Sequence, residues 1–372
     1  MRRALAAALI SLSACTLFVK TSDLSGGVDP VDGGGAFDAA DVLDAPSGPW
    51  VDPAWAARRA LETSPSKVTG EQSDFPVLVD LTTLEGATPL RADGRDVRFT
   101  AADGVTPLPH ELASPRLAWV RLPALTDRAG ARFYAYYGSD AEAPADVVAT
   151  WTGRYDGVWH LDEAAPSVYR DSTSNAFAGT SLDVTAATGQ VAGAQGFAGS
   201  QRLLLGVGAA LDMKDAYTIS AWVNPDATSN SIVMDGDIGL AVTIRFNGGS
   251  IQGIAYAGCS SPSWPEYDVT SPKSPPAGAW VHLALVTSGV TASLFIDGEP
   301  AGSETFAATE LSGSYGGLSL GRPRCNNSGF RGRIDEVRLT KRVLDRSWLR
   351  TEVENQRDPR AFVTALAEEK RP

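Results

Sequence analysis

The sequence predicts an all-β protein in which two β-sandwich domains are followed by a short C-terminal helix. Two observations lead to this prediction. Strand-length runs of β-branched and aromatic residues recur from residue 50 onward, and turn signals rich in Gly and Pro separate them. Apolar residues make up 43% of the 372 residues, which is enough for two buried cores.

The first fifteen residues have the order of a secretory signal peptide. Met1-Arg2-Arg3 is basic, residues 4–12 are apolar, and Leu12-Ser13-Ala14-Cys15 ends the run, which is too short to span a bilayer. This ending resembles the lipobox of bacterial lipoproteins. The resemblance implies that Cys15 becomes the first mature residue and carries acyl chains such as palmitate. The alternative is an ordinary cleaved signal peptide with an incidental cysteine.

Residues 16–49 are predicted to form a flexible acidic tether. Aspartates recur there between Gly, Ala, Ser and Pro, and few large apolar side chains are present to support a core. Thr16 is not one of the residues usually linked to retention at the inner membrane. The expected location is therefore the cell envelope, with the protein held by its N-terminal lipid, and the outer membrane is favoured in a host with two membranes.

The net charge of the whole chain limits the classes of partner. The chain has 32 Lys and Arg against 44 Asp and Glu, a formal net charge of −12. Phosphate backbones and anionic lipid surfaces attract basic proteins, so nucleic acid is not an expected partner.

Residues 50–150 are predicted to form the first β-sandwich. The strand signals fall at 75–81, 96–100, 117–122 and 132–138, and no helical stripe of useful length interrupts them. The segments 74–79, 93–99, 108–112, 118–123 and 134–138 resemble, in the family's order, a bacterial module called domain of unknown function 2341. That family has no established activity, so the resemblance implies a fold and a context rather than a reaction. We expect this module to act as a spacer or rigid support.

Residues 155–345 are predicted to form the second sandwich. Characteristic phrases are Trp-His-Leu-Asp-Glu at 159–163, Ile-Ser-Ala-Trp-Val at 219–223, Trp-Val-His-Leu-Ala at 280–284, Phe-Ile-Asp-Gly at 295–298 and Ile-Asp-Glu-Val-Arg at 334–338. These phrases resemble the laminin-G-like, concanavalin A-type jelly roll, which implies two curved antiparallel sheets. Asp297-Gly298 is a hairpin signal between two of the strands.

Residues 346–372 are predicted to form a helix and a tail. Asp345 can cap a helix that runs to Gln356, with Trp348, Leu349 and Val353 on one face. A last strand is predicted at 361–366, and we expect the tail to pack against one of the two sandwiches.

The three cysteines suggest one disulfide. If Cys15 carries lipid, Cys259 and Cys325 remain as a pair in a compartment that favours oxidation. A bridge between them would stabilise the fold by roughly 4 kcal/mol through loop closure, less any strain. The alternative is two separate buried thiols.

Nothing in the sequence has the pattern of a catalytic centre, so we expect a protein that is not an enzyme. Glucanases of the jelly-roll type need two glutamates flanking an aspartate on one strand face, and no Glu-x-Asp-x-x-Glu array exists here. Asp162-Glu163 and Asp335-Glu336 are adjacent pairs, whose side chains should point to opposite faces. His160 and His282 lie in strand phrases beside Trp and are interpreted as packed or hydrogen-bonded strand histidines.

Calcium is the best candidate cofactor, because its ligands are carboxylate, amide and backbone oxygens. Asp171 and Asn175 lie in one polar loop, and Asp335 could approach it if the first and last strands of this domain are neighbours, as the resemblance implies. The alternative is a loop stabilised by its own side chains, with Asp335 anchoring a nearby backbone.

A ligand surface is predicted in the long loop after Cys259. This loop carries Trp264 and Tyr267, and a disulfide would bring it beside Arg324 and Asn326. Aromatic faces with charged and amide groups suit a glycan. The alternative is a stapled surface loop in which Trp264 packs underneath.

Together these features predict a non-catalytic lipoprotein that binds a glycan, or an envelope or extracellular protein, through its jelly roll. A purely structural or adhesive envelope component without a small ligand is the main alternative. A polysaccharide hydrolase is disfavoured by the missing carboxylate array.

Overall fold

The computed structural model describes residues 49–143, 145–164, 168–206, 216–228, 231–236, 242–255, 267–288, 290–305, 317–322 and 329–371. The predicted leader and tether lie outside these ranges, as do Cys15, Cys259, Trp264, Cys325, Arg324, Asn326 and the side chain of Tyr267. Within the described residues, no helix is long and apolar enough to cross a membrane.

The first sandwich begins with seven strands. They are β1 (Ala57–Thr63), β2 (Glu71–Asp80), β3 (Arg98–Ala101), β4 (Pro107–Leu108), β5 (His110–Ser114), β6 (Leu117–Thr126) and β7 (Arg132–Tyr137). Short 3-10 turns lie at Pro65–Lys67 and Leu81–Leu84. Helix α1 (Val147–Trp151) then leads into the second sandwich.

The second sandwich contains fifteen strands in the described residues. They are β8 (Gly157–Trp159), β9 (Gly179–Leu182), β10 (Thr185–Thr188), β11 (Gly193–Ala198), β12 (Arg202–Leu205), β13 (Ala216–Pro225), β14 (Ser231–Gly236), β15 (Thr243–Asn247), β16 (Ser250–Ala255), β17 (Tyr267–Thr270), β18 (Val281–Ser288), β19 (Thr291–Ile296), β20 (Glu299–Thr305), β21 (Leu318–Leu320) and β22 (Arg331–Thr340). The chain ends with α2 (Arg346–Arg357), α3 (Pro359–Phe362) and β23 (Val363–Lys370).

The predicted all-β class with two sandwiches and a short C-terminal helix is confirmed. The first sandwich packs the sheet β23-β1-β7-β3-β4 against the sheet β2-β6-β5. The second packs β10-β11-β22-β13-β18-β19-β20, with β8 beside β22, against β17-β16-β15-β14-β21-β12-β9. The apolar core of the second sandwich lies between its sheets and includes Ile219, Val223, Leu283 and Leu339.

The C-terminal segment returns to the first sandwich. Strand β23 pairs antiparallel with β1, so Lys370 lies opposite Ala57 and Val363 opposite Thr63. The strand begins at Val363 rather than at the predicted residue 361, because Asp358 caps a further helical turn with Pro359 at its start. The first and last strands of the described chain therefore belong to one sheet.

Helix α2 forms where predicted and lies between the two sandwiches. The Asp345 carboxylate accepts a hydrogen bond from the Trp348 backbone N–H, at 2.9 Å, and so caps the helix. Trp348, Leu349 and Val353 are buried, and the Trp348 ring lies 4.7 Å from that of Phe75. Burial of such side chains stabilises by about 1.5–3 kcal/mol each.

The two sandwiches share one continuous apolar cluster. Ala284, Val286 and Phe295 project from the outer face of the second sandwich and belong to the same cluster as Val77 of the first. The predicted hairpin at Asp297-Gly298 lies at this face, with φ of 53° and 75°. A Cβ on Gly298 would lie 2.7 Å from the Cα of Arg350, so the turn lets α2 approach closely.

The Asn355 side chain pairs with the backbone N–H and carbonyl of Leu78 at the edge of strand β2. Its Oδ1 accepts a hydrogen bond from the Leu78 N–H at 2.7 Å, and its Nδ2 donates to the Leu78 carbonyl at 3.0 Å. An edge strand without such cover would leave these buried backbone groups unpaired.

We expect Asn355→Ala to lower the free energy of unfolding by about 2–4 kcal/mol, because both backbone groups of Leu78 would lose their partner. Urea denaturation followed by tryptophan fluorescence measures this. Asn175→Ala, at an exposed loop position, is the matched control and should change stability by less than about 1 kcal/mol. Equal effects of the two substitutions would contradict this role for Asn355.

Candidate functional site

Five charged side chains meet where the two sandwiches join. We call Glu111, His160, Glu336, Arg338 and Glu352 the junction cluster. Glu111 lies on β5 of the first sandwich, His160 follows β8, Glu336 and Arg338 lie on β22, and Glu352 lies on α2. Charges this deeply buried persist only when they are paired, and the cluster pairs all five.

His160 is held between two carboxylates. Its Nδ1 lies 2.6 Å from Oε1 of Glu336, and its Nε2 lies 3.3 Å from Oε2 of Glu111. Burial would lower the pKa of His160, but the charges of Glu336 and Glu111 and the hydrogen bonds to both raise it well above 6.5. The imidazole is therefore a cation at neutral pH and joins the two sandwiches.

Both carboxylate oxygens of Glu111 are engaged in hydrogen bonds with neighbouring side chains. It accepts hydrogen bonds from Trp151 Nε1 and from Ser172 Oγ, the latter at 2.8 Å. Burial acts to raise the pKa of Glu111, yet the His160 charge and these hydrogen bonds lower it overall. Glu111 is consequently an ionised acceptor with little tendency to take up a proton near neutral pH.

Arg338 joins the remaining members of the cluster. Its guanidinium donates to Glu336, at 2.8 Å, and to Glu352. The same group lies over the rings of Trp119 and Trp151, with 4.5 and 4.9 Å to their centroids. Because both tryptophans belong to the first sandwich and its connecting helix, this cation–π contact adds to the join.

A bulge in β22 directs Glu336 toward His160. The pairing of β13 with β22 shifts register between Ser220 and Trp222, and Glu336 has a positive φ of 49°. Asp335, beside it, is fully buried and accepts a hydrogen bond from the Val191 N–H at 2.8 Å. Burial and the Glu336 charge raise the pKa of Asp335 well above its usual value.

A recess of about 450 Å³ opens beside the cluster. It is lined by Glu111, Leu112, Val147, His160, Asp162, Glu163, Val168, Arg170, Asp171 and Ser172. A second recess of about 470 Å³ shares Glu111, Leu112, Val147 and Arg170 and continues onto the first sandwich, where Arg95, Val97, His110, Glu142, Ala143 and Ala145 complete its lining. We call the two together the junction groove.

Two carboxylates in the first recess have raised pKa values. For Asp162 the largest cause is burial; the His160 charge opposes the rise, and repulsion from Glu336 and Glu111 adds to it. For Glu163 the cause is burial first, with added repulsion from Asp162. Oε1 of Glu163 accepts the Arg170 backbone N–H at 2.8 Å, whereas Oε2 is shielded and accepts no hydrogen bond from the described residues.

The predicted calcium residues do not form one contact network. Asp171 accepts hydrogen bonds from the backbone N–H groups of Val158, Thr173 and Phe177, and Asn175 donates to the Asp156 carbonyl at 2.8 Å. Asp335 is engaged with Val191 instead. In the described ranges, no group of three or more His, Cys, Asp or Glu residues is placed to hold a metal ion. Calcium binding stays a prediction.

Of the predicted ligand-binding residues, only the backbone of Tyr267 lies within the described residues. Trp264, Arg324 and Asn326 lie outside the described residues, and Tyr267 begins the edge strand β17. The sequence identified the phrase that contains His160, Asp162 and Glu163 and predicted a packed or hydrogen-bonded histidine, but it gave no partner for it. No local signal could have paired it with Glu111, since 49 residues and a domain boundary separate them.

We expect the three histidines to titrate differently. Burial lowers the pKa of His110 and His282, whereas that of His160 is raised. In an NMR titration from about pH 5 to about pH 9, His160 should keep the protonated ring shift to a higher pH than the other two, which should be neutral over most of the range. Three signals with midpoints near 6.5 would contradict the cluster.

Because the pKa of His160 is raised in the folded protein, its contribution to the free energy of unfolding depends on pH. The contribution of His160 is complete below the unfolded-state value of about 6.5 and is lost as pH rises through the higher folded-state value. The difference in unfolding free energy between the wild type and His160→Gln should therefore shrink at alkaline pH.

Comparison with known families supports the architecture of the second sandwich. Residues 197–350 match the family model of the concanavalin A-like lectin/glucanases superfamily. The second sandwich is thus a concanavalin A-like jelly roll. No match is found among curated proteins.

Several solved structures are similar to the chain. Domain 4 of the GH43 extracellular arabinanase AbnA from Geobacillus stearothermophilus, in complex with arabinotriose, is 22% identical, with a TM-score of 0.44 over 54% of this chain and 98% of that one. The binding domain of Paraclostridial Mosquitocidal Protein 1 is 12% identical, with a TM-score of 0.44 over 53% and 52%. The botulinum neurotoxin serotype G binding domain is 13% identical, with a TM-score of 0.43 over 54% and 50%. The chain spans about half the length of these two binding domains.

Proposed function

We propose that the protein is a non-catalytic binding protein of the bacterial cell envelope, whose jelly roll holds a glycan and whose N-terminal lipid at Cys15 attaches it to a membrane. The observation that supports binding is the junction groove. Its two recesses of about 450 and 470 Å³ have the size of small-ligand sites. Most of its first recess is polar, which suits a ligand rich in hydroxyl groups.

The family match is consistent with this role. Residues 197–350 match a superfamily described by its lectins and glucanases, and the groove uses residues 160–172 of the same sandwich. Arg170 lines both recesses, and among the described residues its guanidinium makes no ion pair. An arginine in this position can donate several hydrogen bonds to sugar oxygens.

The states of His160 and Glu111 argue against a role as general base for either residue. A general base near neutral pH must be unprotonated and free to approach the substrate. The raised pKa of His160 keeps it protonated, and both its ring nitrogens face carboxylates. Glu111 has a lowered pKa and is occupied by its hydrogen bonds with Trp151 and Ser172. These groups therefore form a rigid floor for a ligand.

A structural or adhesive role is the second candidate. The observation in its favour is the continuous apolar cluster that joins the two sandwiches into one body. Such a body could transmit force or keep a fixed spacing at the envelope without any small ligand.

A glycan array with fluorescently labelled protein tests the binding role. We expect retention of at least one glycan class, and Arg170→Ala should weaken that binding about tenfold or more, since a charge-assisted hydrogen bond contributes about 1.5–3 kcal/mol. Arg128→Ala, at an exposed turn outside the groove, is the matched control and should bind as the wild type. Running the array with calcium and with a chelator tests the predicted cofactor. A blank array under both conditions would favour the structural role.

Metabolic labelling tests the anchor. Radiolabelled palmitate should be incorporated into the wild type and not into Cys15→Ser, and only the variant should be released from the membrane fraction. Cys259→Ser is the control and should keep its label. Equal labelling of the wild type and Cys15→Ser would refute the lipid anchor.

A further inference from the structure

The first recess of the junction groove carries more negative than positive charge. Glu111, Asp162, Glu163 and Asp171 line it, and the cations among its lining residues are His160 and Arg170. Glu336 adds a further carboxylate directly behind His160.

Two of these carboxylates, Asp162 and Glu163, make no ion pair with the described residues, and Asp162 is exposed. Asp171 is engaged with the backbone of its own loop, and Glu111 is engaged with His160 and Ser172. In the described part of the chain, no other side chain forms an ion pair or hydrogen bond with the carboxylate of Asp162. Oε2 of Glu163 is buried without a hydrogen-bond donor, a condition that is costly unless a partner arrives.

The arrangement does not suit a bare metal ion. Calcium takes six to eight oxygen ligands at short range, whereas the described residues hold no cluster of three or more groups placed for a metal. The same negative charge, spread over the walls of a recess of about 450 Å³, suits an organic cation that has hydrogen-bonding surface of its own.

We propose that the first recess binds the ammonium group of an amino sugar, with Asp162 and Glu163 as its acceptors and with the neighbouring sugar units extending along the junction groove. This inference rests on the proposed glycan-binding role and names the chemistry of the ligand. The ammonium pairs with the exposed carboxylate of Asp162, and rotation of the Glu163 side chain toward the recess gives its Oε2 the donor that it lacks. The bound cation also reduces the repulsion between the two carboxylates.

The lining favours a sugar over a basic peptide. Seven of the ten residues around the first recess are polar, and the apolar ones are Leu112, Val147 and Val168. A peptide would need apolar pockets for its alternate side chains, whereas a hydroxyl-rich chain can pair with Ser172, Arg170 and the carboxylates. The second recess then takes the next units, so the first sandwich contributes part of the site.

Isothermal titration calorimetry with a matched pair of ligands tests this. The probes are a β-1,4-linked glucosamine tetramer and the same tetramer with every amine acetylated, which differ in charge but not in backbone. The free-amine tetramer should bind at least about tenfold more tightly than the acetylated one. Raising the salt from about 0.05 M to about 0.5 M should weaken only the former.

Charge-removing variants link the effect to the recess. Asp162→Asn combined with Glu163→Gln should abolish the preference for the free amine while keeping the side-chain shapes. Asp183→Asn combined with Glu304→Gln removes the same charge at exposed positions elsewhere and should leave binding unchanged. Thermal melts of both variants check that the fold is retained.

The outcomes separate this inference from the proposed function. If both tetramers bind equally and Arg170→Ala weakens both, glycan binding stands and the ammonium site is overturned. If tetralysine binds while neither tetramer does, a basic peptide is the ligand and the amino-sugar assignment is overturned. If neither tetramer nor any arrayed glycan binds, both the ammonium site and the proposed glycan-binding function are refuted.

Discussion

The guanidinium of Arg338 is a full positive charge buried where the two sandwiches meet. It holds Glu336 of its own strand and Glu352 of α2 and lies against Trp119 and Trp151. Removing one partner from such a network leaves the others as unpaired buried charges, at a cost of about 3–5 kcal/mol. The docking of the second sandwich, the first sandwich and α2 is therefore coupled, because each of them supplies side chains that contact the buried guanidinium network.

This dependence changes how the first sandwich should be regarded. The sequence suggested a spacer or rigid support, but β23 at the C-terminal end pairs with β1, and α2 covers the edge of β2. The first sandwich is thus closed by residues that follow the second one in the chain. It also supplies Glu111 and part of the second recess to the junction groove, so its presence affects the shape of the candidate site.

The elements that the sequence predicted well are those fixed by local chemistry. The Asp345 cap and the Asp297-Gly298 hairpin each depend on residues a few positions apart. The junction cluster could not be predicted in the same way. Strand alternation would send Asp335 and Glu336 to opposite faces, and only the bulge opposite Ser220 and Trp222 brings Glu336 to His160. Such a bulge depends on the pairing of distant strands, which no single segment reveals.

The same cluster sets the electrostatics of the groove. The pKa of Asp162 is raised in part by the charges of Glu336 and Glu111, whose main contacts hold the sandwiches together through His160, while the His160 charge itself acts to lower it. A cation bound at Asp162 and Glu163 would be attracted by Glu111 only while the sandwiches are docked, since Glu111 belongs to the first sandwich and Asp162, Glu163 and Glu336 belong to the second. By linkage, a ligand that prefers the docked state must stabilise it. Binding of the proposed cation and docking of the two sandwiches would therefore favour each other through the charge of Glu111.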